Sequence, residues 1–112
     1  MLGLTDRVPK IFGVASRAPI APSISVDIHG NHALSAIDRS GGECLQVDQE
    51  EIIKAVRQLA GLGLLVEPAS SASVAGFMQW SQRTGNQIQG SAVCVVTGSL
   101  IKWLEQAGPG LL

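Results

Sequence analysis

Strand-type and helix-type segments take turns along this chain. Short aliphatic or β-branched runs at Ile11 to Val14, Glu43 to Val47, Leu64 to Val66 and Ser91 to Val96 are separated by stretches of helical periodicity. Parallel strands need a long connection and a helix is the usual one, so this alternation reads as a parallel sheet with crossover helices. The chain has 112 residues, and common domains run to about 100 to 150. One α/β unit over residues 1–112 is therefore expected: a partial doubly wound parallel sheet of about four strands, with about four helices.

The helices are legible from their ends. Asp48 and Glu51 have the spacing of a capping box, and Ile52, Val56, Leu59 and Ala60 recur at helical intervals, which predicts a helix from Asp48 to Ala60. Gly61 and Gly63 end it; although Gly61-Leu62-Gly63-Leu64 has two glycines of a dinucleotide fingerprint, the pair follows a helix where a strand is required. Pro68 suits the first turn of another helix running to about Arg83, whose small residues Ala69 to Ser73, Ala75 and Gly76 permit close packing. A short helix is expected over Ala33 to Arg39, closed by Gly41 and Gly42, and a last one at Leu100, Ile101 and Leu104. Arg17 to Ser25, with Pro19 and Pro22, reads as a loop. Ser91 to Val96 reads as a buried central strand ended by Thr97 and Gly98.

Composition excludes several functions. Eight Lys plus Arg against nine Asp plus Glu leave a net charge of -1, which offers no footprint for nucleic acid or an anionic membrane. Four aromatics, Phe12, Phe77, Trp80 and Trp103, give few platforms on which bases could stack. The longest apolar run, Ala92 to Val96, falls far short of the roughly 20 residues that span a bilayer. No leader pattern follows Met1, and a cytoplasmic protein is expected. Cys44 and Cys94 sit in apolar runs and read as buried, reduced thiols. Asp27, His29 and His32 crowd one loop without a fourth ligand, so a solvated loop is expected there and no metal. There is no Gly-x-Ser-x-Gly elbow and no Cys/His dyad, and Lys10, Lys54 and Lys102 all lack a pocket-like context. The residues alone show no complete catalytic apparatus.

Two places are better suited to a ligand. Val66-Glu67-Pro68-Ala69-Ser70-Ser71 puts a carboxylate and hydroxyls at a strand end and helix start, where α/β proteins bind ligands. Val96-Thr97-Gly98-Ser99 puts another hydroxyl and a glycine at the carboxyl end of the expected central strand. The same residues also suit ordinary caps and turns.

A family resemblance favours the ligand. Leu2 to Val14, Ser40-Gly41-Gly42 with Val47-Asp48, Val66 to Ser73 with Ala75-Gly76, and Val93-Cys94-Val95-Val96-Thr97-Gly98 together resemble threonine synthase, a fold-type II pyridoxal phosphate enzyme. In order and spacing they are similar to the C-terminal third of that family. The resemblance implies that the Thr97 hydroxyl meets the pyridine nitrogen of the cofactor, with Gly98 beside it and Glu67, Pro68 and Ser70 near the ring face. It implies as well that a neutral partner leaves that nitrogen largely unprotonated and moderates the ring as an electron sink. The family's Schiff-base lysine and glycine-rich phosphate loop lie in its N-terminal two thirds, and this chain has no equivalent. Where the family continues with His-Gly, Ser99-Leu100 stands here, and the tail from Trp103 to Leu112 has no counterpart.

The expectation is thus a threonine synthase-like segment that forms one wall of a pyridoxal phosphate site but contributes no catalytic residue and is catalytically incomplete alone. The parent reaction converts O-phosphohomoserine to threonine. The alternative is a non-catalytic interaction module that kept the fold. The expected partner is a second copy, in a homodimer, or a complementing N-terminal piece.

Overall fold

The computed structural model describes residues 6–25, 30–105 and 111–112. In chain order the elements are β1 (Gly13–Ala15), α1 (Asn31–Ser40), β2 (Cys44–Gln46), α2 (Gln49–Gly61) and α3 (Pro68–Arg83). Single 3-10 turns occur at Pro22–Ile24 and Leu100–Trp103. β1 and β2 pair in parallel, with Gly13 opposite Cys44, Val14 opposite Leu45 and Ala15 opposite Gln46, and α1 lies in the connection between them.

Successive strand residues point to opposite faces, and this fixes where the helices lie. A Cβ on Gly13 would stand 2.9 Å from Ile37 Cδ1 of α1, whereas the side chain of Val14 abuts Gly76 of α3. α1 and α3 therefore cover opposite faces of the sheet, the layering of a doubly wound fold. Leu45, beside Val14, is buried beneath α3, while Cys44 and Gln46 are exposed. Gly76 allows the close approach, since a Cβ there would stand 2.6 Å from Val14 Cγ2.

α2 begins as its sequence predicts. Asp48 Oδ1 accepts the Glu51 amide at 2.9 Å, and Glu51 Oε2 accepts the Asp48 amide at 2.9 Å, completing the capping box. Ile52, Ala55 and Val56 are fully buried and pack with Ala72 and Ala75 of α3, with Val47 and with Leu100. Gln79 ties the layers together, its Nε2 donating to Gln46 O at 2.9 Å and to Glu51 Oε1 at 3.0 Å. Phe12 meets Trp80 edge to face, with ring centroids 5.3 Å apart.

The α/β class and the three main helices agree with the sequence reading, but the four-strand sheet does not. Among the described residues the sheet has two strands. Leu64 to Val66 forms only an isolated antiparallel bridge, between Val66 and Ser99. Ser91 to Val96, expected as a buried central strand, carries no strand assignment, and Val93 is 89% exposed. A strand needs a neighbour on which to satisfy its amides and carbonyls. This run lies against α3 instead, where Ser73 Oγ donates to Val95 O at 2.9 Å. The last helix is a single 3-10 turn, and the proline loop contains another. Cys44 is exposed because its face of the sheet is only partly covered, and Cys94 is half-buried. Asp27 and His29 lie outside the described residues, and His32 is exposed on α1. Among the described residues no helix is long and apolar enough to cross a membrane.

Candidate functional site

Two stretches that are distant in sequence are stapled together at the start of α3. Glu67 N–H donates to Gly98 O at 3.0 Å, and Leu100 N–H donates to Leu65 O at 3.0 Å, on either side of the Val66–Ser99 bridge. Glu67 is the N-cap residue of α3, and Pro68, fully buried, occupies its first turn, where a missing N–H leaves no vacancy in the helix. The Ser71 amide and Ser71 Oγ both donate to Glu67 O at 3.0 Å, which fixes the entry of the chain into the helix.

This staple gathers all five residues singled out in the sequence. Ser70 Oγ accepts the Gly98 amide at 2.9 Å and lies 3.4 Å from Thr97 Oγ1. The Glu67 side chain folds over Gly98, where a Cβ would stand only 2.0 Å from Glu67 Oε1 and 2.6 Å from its Cγ. Only glycine leaves the carboxylate that position. Ser73, one turn on from Ser70, tethers the preceding stretch through Val95 O. Cys94 Sγ lies 3.8 Å from Ser73 O, and burial pushes its thiol pKa up.

Lys102, which lacks a pocket-like context in the sequence, joins the cluster in the structure. Its Nζ lies 2.7 Å from Glu67 Oε2. The pairing depends on the 3-10 turn returning residue 102 toward α3; the spacing of Leu100, Ile101 and Leu104 announces a helical turn but not where it docks. Ser73 was partly legible, since Ser70 and Ser73 at i, i+3 share a helix face.

The donor set suits the ring end of a pyridoxal phosphate molecule. A pyridine nitrogen accepts one hydrogen bond, and Thr97 offers an exposed hydroxyl. Its contact with Ser70 is longer than the 2.5 to 3.0 Å of a good O–H···O bond, so the hydroxyl hydrogen is not firmly committed. The phosphate end is not matched: among the described residues no glycine-rich phosphate loop adjoins this cluster, and of the three lysines the one nearby, Lys102, is held in an ion pair. The open groove of about 480 Å³ elsewhere on the chain, lined by Gln46, Asp48, Glu51 and Gln79 among others, includes none of the five residues.

Comparison with known proteins gives the family. The family model described as pyridoxal-phosphate dependent enzyme matches residues 5–98. A threonine synthase of Methanosarcina acetivorans is 35% identical over 91% of this chain and 31% of its own length. Threonine synthases of Synechocystis (35% identical) and Mycobacterium tuberculosis (34%) each match 90% of the chain and, respectively, 30% and 33% of their own length. The chain thus spans about a third of the length of these relatives. With the family model matching most of the sequence, from the segment before β1 through Gly98, this chain belongs to the pyridoxal-phosphate dependent enzyme family.

Proposed function

We propose that this chain supplies the ring-facing wall of a pyridoxal phosphate site in a cytoplasmic, threonine synthase-like enzyme. The parent reaction takes O-phosphohomoserine and water to threonine and phosphate. Thr97 donates its hydroxyl to the pyridine nitrogen, Gly98 keeps the backbone low beside the ring, and Glu67, Pro68 and Ser70 form the adjoining surface. Bound there, the cofactor supplies an electron sink for the bonds broken at the substrate's α and β carbons. The chain's own part is to orient the ring and to present a neutral donor to it. The lysine that anchors the cofactor and the phosphate loop come from a complementing N-terminal piece, so the isolated chain has no threonine synthase activity.

One observation carries this reading: residues 67–70 and 97–98, far apart in sequence, are stapled into one cluster whose exposed Thr97 hydroxyl makes only a long contact with Ser70. The test is to mix the chain with the N-terminal two thirds of a threonine synthase relative and to follow pyridoxal phosphate by absorbance. The expected result is a bound-cofactor spectrum that neither piece gives alone. No such spectrum from a stably associated mixture counts against the reading.

A second reading, a non-catalytic interaction module, draws on the exposed apolar surface. Leu62 (78% exposed), Val93 and Val95 (68%) are open to solvent, and such surface favours association. In that case the chain dimerises and gains no cofactor on mixing.

A further inference from the structure

The geometry points to Lys102 as a positioning residue of the cofactor wall: its ammonium holds the Glu67 carboxylate across Gly98, pinned and charge-compensated one residue along from Thr97. This rests on the reading of residues 67–70 and 97–98 as the ring-facing wall. Three observations converge on it. Glu67 is mostly shielded, its side chain 16% exposed, and Lys102 Nζ approaches Oε2 to 2.7 Å from the solvent side, where Lys102 is 65% exposed. The other carboxylate oxygen, Oε1, lies in the space a Cβ on Gly98 would fill. Finally, Ser99 Oγ accepts the Ile101 amide at 3.2 Å and so starts the 3-10 turn that brings Lys102 round.

The arrangement has a chemical purpose. A carboxylate packed on Gly98, the residue after the ring-nitrogen contact, would attract a proton onto that nitrogen, because an opposite charge nearby favours the protonated pyridinium. Lys102 offsets that charge and fixes where it sits, leaving Thr97 as the group that meets the nitrogen. The partial shielding of Glu67 makes the pairing directional, since a charge-assisted hydrogen bond is short and oriented. Lys102 itself touches neither the ring nor the reacting atoms.

The test has two arms. In the isolated chain, a nuclear Overhauser contact between the Glu67 γ protons and the Gly98 α protons reports the folded-over carboxylate directly. Lys102→Met should weaken it several-fold and Lys102→Arg should restore it. The melting midpoint should fall by no more than about 5 °C in Lys102→Met and less in Lys102→Arg, because Lys102 itself is mostly exposed although Glu67 is shielded. An undiminished contact in Lys102→Met overturns the proposal.

In the complemented complex, pyridoxal phosphate is the probe. Lys102→Met should raise its Kd about threefold to tenfold and shift the bound-cofactor absorbance, with Arg restoring both. An unchanged spectrum and Kd in a Met variant that has lost the Overhauser contact also overturns the proposal. Failure of the wild-type complex to take up cofactor overturns the wall itself, so the two failures are distinguishable.

Discussion

A methyl group added at Gly76 probes how closely α3 lies on the sheet. It would stand 2.6 Å from Val14 Cγ2, 3.2 Å from Val14 Cγ1 and 3.5 Å from Leu45 Cδ1. Val14 cannot swing aside easily, because it is β-branched and its strand is hydrogen-bonded to β2. The helix must lift or the valine must leave its rotamer, and overpacking of this kind costs about 1 to 3 kcal/mol. Replacing glycine by alanine inside a helix offsets about 1 kcal/mol of that. The net expectation for Gly76→Ala is a loss of about 0 to 2 kcal/mol, or a fall in melting midpoint of up to roughly 10 °C. Thermal unfolding followed by circular dichroism reads it. The decisive comparison is the same substitution in a Val14→Ala background, where the obstructing methyls are gone and Gly76→Ala should become neutral or stabilising. Should Gly76→Ala raise the midpoint in the wild-type background, as it would on an open helix face, or act equally in both, the packing described here is wrong.

Three further expectations follow from the same geometry. Ser73→Ala removes the donor to Val95 O and should loosen the adjoining stretch, speeding hydrogen exchange of the Gly98 amide held by Ser70 Oγ while leaving α2 unaffected. Because burial raises the Cys94 thiol pKa, the pH midpoint of its alkylation by iodoacetamide should lie above that of a free thiol in the unfolded chain; the neutral thiol favours the fold until the unfolded chain begins to ionise, so stability should fall as pH rises through the free-thiol range. The exposed leucines and valines near residues 62 and 93–96 should drive self-association, most simply as a homodimer. Sedimentation showing a stable monomer at micromolar concentration would count against that.

What the sequence disclosed, and what it withheld, follows physical range. α2 was readable because its signals are local: the Asp48–Glu51 capping box and the periodic Ile52, Val56 and Leu59 act within a few residues. α3 was readable from Pro68 at its start, and the layering follows from small residues such as Gly76. The strand at 91–96 was misread because its valine-rich pattern records a preference for burial, whereas a strand also requires a partner, and sequence alone does not say whether one is present. The five candidate residues could be named because motif resemblance does not depend on contacts. Their meeting point, through Glu67 N–H and Gly98 O, is a long-range pairing that no local rule gives. Lys102 lacked a pocket-like context for the same reason, since its role exists only once the chain has turned at 100–103.

The most direct test of the cofactor wall is the affinity of the complemented complex for pyridoxal phosphate with and without the Thr97 hydroxyl. Thr97→Val keeps the shape and leaves the ring nitrogen without a donor in a desolvated site, a loss of about 1 to 3 kcal/mol. Absorbance titration should therefore show binding weakened roughly tenfold to hundredfold. The isolated variant should unfold within about 1 kcal/mol of wild type, since Thr97 is exposed and its contact with Ser70 is long. Unchanged cofactor affinity in the complex, together with unfolding of the isolated Thr97→Val chain, would make the hydroxyl a structural cap and contradict the account.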